Sequence, residues 1–255
     1  MQTVAGVFRQ RDQAERAAAE LEGLGIPRDR ITLLTPGSDP KRVPTDEGEP
    51  PGIGTALGAV VGGATGAAVG FPLGAAVTLL VPGVGAVIAS GLIGAVLLGA
   101  GGAAVGATLE ESLIAGLPRD ELFVYEDALR QGQSVVVALV ESTELVGRAR
   151  ETLAGAGAET IDAARERWWL GMRSAEQERY AEGAAAFQRD EALYRRGFEA
   201  ALAAETRGRA WGEALTTLRA RHGADADMPA FRRGWERGQL HLRDLGYGPN
   251  LEKTA

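Results

Sequence analysis

Residues 50–109 carry no charged side chain, and within them glycine recurs at every fourth position: Gly54, Gly58, Gly62, Gly66, Gly70 and Gly74. Four residues make roughly one helical turn, so the six glycines line up as a bare stripe along one side of a helix. In water such a helix is poor, because each interior glycine costs ~1 kcal/mol relative to alanine. In hydrocarbon the balance reverses, since an unpaired backbone amide there costs several kcal/mol and a helix pairs it within the segment. The stretch divides at Val81-Pro82-Gly83-Val84-Gly85. As helices, residues 54–80 and 86–109 span about 40 and about 36 Å, both above the ~30 Å of a hydrocarbon core. The second arm keeps small residues four apart at Gly91, Ala95 and Gly99. These nine positions are the expected helix-packing and oligomerisation residues, in the small-xxx-small mode that brings two backbones close together. Two environments suit such a hairpin: a membrane, or the interior of a large oligomer.

The flanks of this stretch resemble each other. A shift of 132 residues places Val4 on Val136, Arg16 on Arg148, Ala17 on Ala149, Leu21 on Leu153, Gly23 on Gly155 and Gly25 on Gly157. Each flank reads as β-α-β: Thr3 to Phe8, Asp12 to Leu24 and Ile31 to Leu34 in the first, then Ser134 to Val140, Thr143 to Leu153 and Glu159 to Ile161 in the second. Two such halves suit a ferredoxin-like sandwich. The predicted fold class is therefore α+β: a split ferredoxin-like sandwich interrupted by an Ala/Gly-rich transmembrane-type helical hairpin, followed by a small all-α C-terminal module. The predicted divisions are 1–36 and 110–162 for the two halves, 37–52 for a linker, 53–109 for the hairpin and 163–255 for the helical module.

That last module holds all four tryptophans among many arginines. Tyr194-Arg195-Arg196-Gly197-Phe198-Glu199 recurs as Phe231-Arg232-Arg233-Gly234-Trp235-Glu236, 37 residues on. Short helices are predicted near 175–188, 190–204, 210–222 and 229–244, with Asp190 and Asp227 near helix starts. Arg195, Arg196, Arg232 and Arg233 are candidate contacts for an anionic ligand, against the plainer reading that they pair with the module's carboxylates. Trp168-Trp169 reads either as an anchor at a membrane interface or as packing inside the module.

Several chemistries are excluded or unsupported. A net charge of −7 argues against nucleic acid, whose binding rests on phosphate neutralisation. The absence of cysteine removes thiolate chemistry and disulfides. His222 and His241 stand in no metal-binding spacing, and the glycine-rich stretch contains no lysine for a phosphate loop. No catalytic residue, metal or cofactor is expected.

Two sections resemble bacterial general stress proteins of the 17M-like (heat-induced stress protein YflT) family. They are VAGVFRQRDQAERAAAELEGLGIPRDRITLL, and Gly116-Leu117-Pro118 with Tyr125-Glu126 and Leu129-Arg130-Gln131-Gly132 before SVVVALV. The tail is similar to a helical module of other bacterial stress-associated proteins. The resemblance implies no enzyme chemistry and no ligand. The expected function is a non-enzymatic, membrane-associated stress protein that self-assembles through its hairpin, in envelope or membrane maintenance. Its expected partners are membrane lipid and further copies of itself, at the cytoplasmic membrane with soluble domains facing the cytoplasm. The alternative is a soluble homo-oligomeric shell or scaffold, a cytoplasmic assembly with the hairpins packed in its interior.

Overall fold

The computed structural model describes residues 2–37, 76–81, 85–91, 107–108 and 121–247. The chain is mixed α+β and divides into two compact units: 1–118 with 124–164, and 119–123 with 165–255.

The first unit is built on a sheet. Strand β1 (Gln2–Phe8), helix α1 (Arg11–Gly23) and β2 (Ile31–Pro36) form the first β-α-β half. Further along come β3 (Ala76–Val81), β4 (Gly85–Gly91), the two-residue β5 (Ala107–Thr108) and helix α2 (Leu122–Arg130). Strand β6 (Ser134–Val140), helix α3 (Thr143–Gly155) and β7 (Glu159–Thr160) make the second half. The strand order is β5-β3-β4-β2-β6-β1-β7. Its five longer strands pair antiparallel, and β5 lies parallel to β3.

The two halves repeat in conformation as well as in sequence. Gly25 and Gly157 both take φ near +90°, a left-handed geometry that suits glycine after a helix. The next amides close the same turn, Ile26 N–H onto Leu21 C=O at 3.3 Å and Ala158 N–H onto Leu153 C=O at 2.9 Å. Both helices contribute to one apolar core: Ala14, Ala17, Ala18 and Leu21 from α1, and Val146, Ala149 and Leu153 from α3. That core also takes alternate residues of the strands, Val4 and Phe8, Ile31 and Leu33, and Val136, Ala138 and Val140. Period-two spacing is what a strand covered on one face requires. The other face is also buried at Val7, Leu34, Val135 and Val137, so these central strands read as near-continuous apolar runs.

One sequence expectation is overturned. A helical hairpin over 53–109 is contradicted at its centre, because Ala76–Val81 and Gly85–Gly91 are strands. They pair with each other from Ala76↔Ser90 to Val81↔Gly85, and β4 pairs with β2 from Thr32↔Gly91 to Pro36↔Val87. Gly91, expected to line a helix, is thus the last residue of a strand. The physical reason lies in the side chains flanking Pro82-Gly83. Val77, Thr78, Val81, Val87 and Ile88 are β-branched, stiff at χ1 and suited to a pleated surface, while Pro-Gly is turn chemistry. Val87 and Ala89 are buried while Ala86, Ile88 and Ser90 are half-buried, a strand alternation. The glycines from Gly54 to Gly74, with Ala95 and Gly99, lie outside the described residues. Among the described residues no helix is long and apolar enough to cross a membrane.

The second unit is helical. It contains the body of α4 (Ile161–Arg179), then α5 (Ala184–Leu202), α6 (Trp211–His222), a 3-10 turn (Gly223–Asp227) and α7 (Pro229–Asp244). The last two helices begin within a residue of their predicted starts, but the break expected near Arg189 falls at 180–183 instead. Gly183, at φ +84°, precedes α5, and Asp190 lies inside that helix.

The 37-residue repeat is the packing seam of this unit. A Cβ on Gly197 would sit 1.9 Å from Phe231 C=O, and a Cβ on Gly234 would sit 1.9 Å from Tyr194 C=O. Phe231 is the repeat equivalent of Tyr194, so the two contacts are reciprocal. A Cβ on Gly238 would meet Ala201, its own equivalent, at 2.7 Å. Helices α5 and α7 therefore run parallel and touch backbone to backbone through Gly197-x3-Ala201 and Gly234-x3-Gly238. The flanking side chains repeat too. Arg195 pairs with Glu199 at 2.7 Å and lies over Trp169, while Arg232 pairs with Glu236 at 2.9 Å and lies over Trp211. The contacts on either side of the seam thus repeat between α5 and α7.

Added bulk at this seam has nowhere to go. Gly197→Ala and Gly234→Ala are each expected to cost about 2–3 kcal/mol, lowering the unit's melting temperature by roughly 10 °C or more. Gly171→Ala in α4, where a Cβ meets nothing within 4 Å, should instead stabilise by ~0.5–1 kcal/mol. Calorimetric melting of the three variants checks both signs.

Candidate functional site

The residues singled out in the sequence fall into three groups. The glycine stripe lies outside the described residues apart from Gly91. Trp168 and Trp169 are buried, with 7% and 1% of their surfaces exposed. Trp168 packs against Phe123 at 4.9 Å and Phe198 at 5.8 Å between ring centres, and Trp169 against Phe198 at 6.0 Å. The four arginines all lie in the helical unit, and each meets carboxylates. Arg195 reaches Glu166 at 2.5 Å as well as Glu199, Arg196 reaches Asp225, Arg232 reaches Glu236, and Arg233 reaches Glu182 at 2.5 Å. The more exposed of these pairs, those of Arg196, Arg232 and Arg233, contribute little stability each, but they set which donors remain for a ligand.

A polar network missed in the sequence holds three of these helices. Glu176 on α4 is 2% exposed. It accepts from the Tyr194 hydroxyl at 2.8 Å on α5 and from Arg237 Nε at 3.1 and 3.2 Å on α7. A buried carboxylate is tolerable only with such donors around it. Tyr180 donates to Asp190 at 2.7 Å and accepts from Arg233 at 2.9 Å. Glu191 accepts the Trp169 indole N–H at 3.0 Å and both nitrogens of an Arg173 fork at 2.6 Å, and that fork holds its carboxyl below the usual range. The sequence signal for this network was weak: Glu176 and Arg237 are 61 residues apart and belong to no shared motif.

Among the described residues, two clefts of this unit share Arg196 and Glu199. The larger, of about 490 Å³, is lined by Glu166, Trp169, Gln188, Glu191 and Arg195 beside the shared pair. Its acids outnumber its arginines. The smaller, of about 250 Å³, is lined by Phe123, Arg165, Arg221 and His222 beside the shared pair. Here Arg165, Arg196 and Arg221 face a single carboxylate, Glu199, which already accepts from Arg195 Nε at 2.7 Å. His222 rests against the Phe231 ring at 5.1 Å. Burial lowers its pKa first, and the positive charge of Arg221 lowers it further. Among the described residues no group of three or more His, Asp or Glu gathers as a metal ligand set.

Comparison of the chain with protein-family models, with curated proteins and with solved structures finds no match.

The tyrosines give the network a pH signature. Burial, reinforced by Asp190, pushes the Tyr180 hydroxyl up to about 12, and burial with Glu176 pushes Tyr194 upward as well. A phenol of raised pKa keeps its proton in the folded state while the unfolded chain releases it near pH ~10. The stability it contributes is complete below pH ~10 and is lost as pH rises through about 12. Tyr180→Phe should flatten the alkaline fall of the urea midpoint between those limits. An unchanged slope would remove Tyr180 from the network.

Proposed function

We propose that this chain is a non-enzymatic assembly protein that associates with further copies of itself through its uncharged stretch. Of the two forms expected from the sequence, we favour the soluble homo-oligomer with apolar segments packed together in its interior. The observation that supports this choice is the pairing of β4 with β2. Residues 85–91, in the middle of the uncharged stretch, are hydrogen-bonded into the same sheet as the two β-α-β halves. Residues held in that ladder cannot at the same time thread a bilayer as a helix. The stretches on either side of the paired strands then start and finish on a folded support, and their small residues favour close contact between copies.

The fold that goes with this reading is the ferredoxin-like sandwich, β7-β1-β6-β2 with α1 and α3 packed into one core, extended beyond β2 by β4, β3 and β5. A role in stress protection, with assembly itself as the mechanism, follows from the family resemblance. A second reading, association with membrane lipid, rests on residues 53–75, which hold no charge and carry the glycine period.

Sedimentation of the purified protein in detergent-free buffer separates the two. The expected result is a discrete particle many times the 26.6 kDa chain, reduced to small species when residues 53–75 are excised. A monomer in buffer that pellets only with added vesicles would favour the lipid reading and contradict the assembly.

A further inference from the structure

We propose that the smaller cleft of the helical unit, walled by Arg165, Arg196, Arg221 and His222 beside Phe123, binds the phosphate group of a small phosphate monoester. Three guanidiniums border one cleft of about 250 Å³ whose single carboxylate is engaged elsewhere. Two of the three keep donors in hand. A guanidinium has five N–H groups. Arg196 commits one amino nitrogen to Asp225. Arg221 approaches Glu205 only to 3.7 Å, beyond hydrogen-bond reach, so that pair is electrostatic. The planar fork of arginine matches phosphate oxygens bidentately, which a lysine-lined cleft would not do.

Size and walls narrow the class. The cleft has room for about eight waters at roughly 30 Å³ each, more than a bare phosphate fills. Phe123, with the Arg165 guanidinium 5.8 Å from its ring centre, supplies one aromatic wall for the organic part of an ester. The neighbouring larger cleft carries Glu166, Glu191 and Glu199 against Arg195 and Arg196, and its arginines are more fully matched by carboxylates.

His222 reports occupancy. Arg221 and Arg196 act to keep it neutral and Asp225 acts in the opposite direction, so an anion added among them raises its pKa. This inference is independent of self-assembly, because every lining residue lies within one helical unit.

The test titrates the full-length protein with inorganic phosphate, phenyl phosphate and phosphatidic-acid vesicles, by calorimetry and by NMR of the His222 ring. Phenyl phosphate should bind more tightly than inorganic phosphate and shift His222 upward. Arg221→Gln should weaken it at least tenfold, while Arg232→Gln, outside the cleft, leaves it unchanged. Melting curves establish that both variants fold. Vesicle binding lost in Arg221→Gln would place the phosphate on a lipid headgroup, and its absence would place it on a free ester. The proposal is overturned by no binding of any of the three, by an unmoved His222 at saturation, or by equal losses in the two variants.

Discussion

Strand β2 is hydrogen-bonded along both edges, to β6 on one side and β4 on the other, and the architecture of the first unit depends on that double ladder. The two β-α-β halves alone would leave β2 at the rim, with a row of bare amides and carbonyls. Such an edge is a template for unwanted pairing, and proteins cover or blunt it. Here the chain covers it with its own residues 85–91 and continues outward to β3 and the two-residue β5. The register is fixed by burial, since a slip of one residue would turn the buried Val87 and Ala89 away from the face they share with Leu34.

The same physics of close approach operates in the helical unit with a different element. Helices α5 and α7 meet where neither has a side chain, so their backbones and flanking rings come into contact over a long seam. Around that seam the polar groups are arranged to match: Glu176 collects donors from two other helices, and Arg195 and Arg232 occupy equivalent places over Trp169 and Trp211. Apolar packing sets the geometry here, and the hydrogen bonds satisfy what the packing buries.

Much of this was legible in the sequence wherever a pattern recurred at a fixed offset. The shift of 132 residues located both β-α-β halves, and the matching glycines at 25 and 157 proved to be matching turns. The 37-residue repeat is visible too, but its meaning is not: the small-xxx-small contact among the described residues runs through Gly197 against Phe231 and Gly234 against Tyr194, not through the apolar stretch. The strands β3 and β4 were missed because sixty uncharged residues outweighed the local β-branched run around Pro82-Gly83. The arginines were noticed by type, but Arg165, Arg221 and His222 come together only through the fold, from helices α4 and α6 that share no motif.

The middle of the uncharged stretch belongs to the sheet, and disulfide closure tests this most directly because the chain has no cysteine of its own. Thr35 and Ile88 are register partners, so a Thr35→Cys/Ile88→Cys chain should oxidise quickly to an intramolecular bridge. Moving the second cysteine by one residue, in Thr35→Cys/Val87→Cys, points the two side chains to opposite faces and should prevent closure. Failure of the first pair, or equal closure of both, would contradict the account.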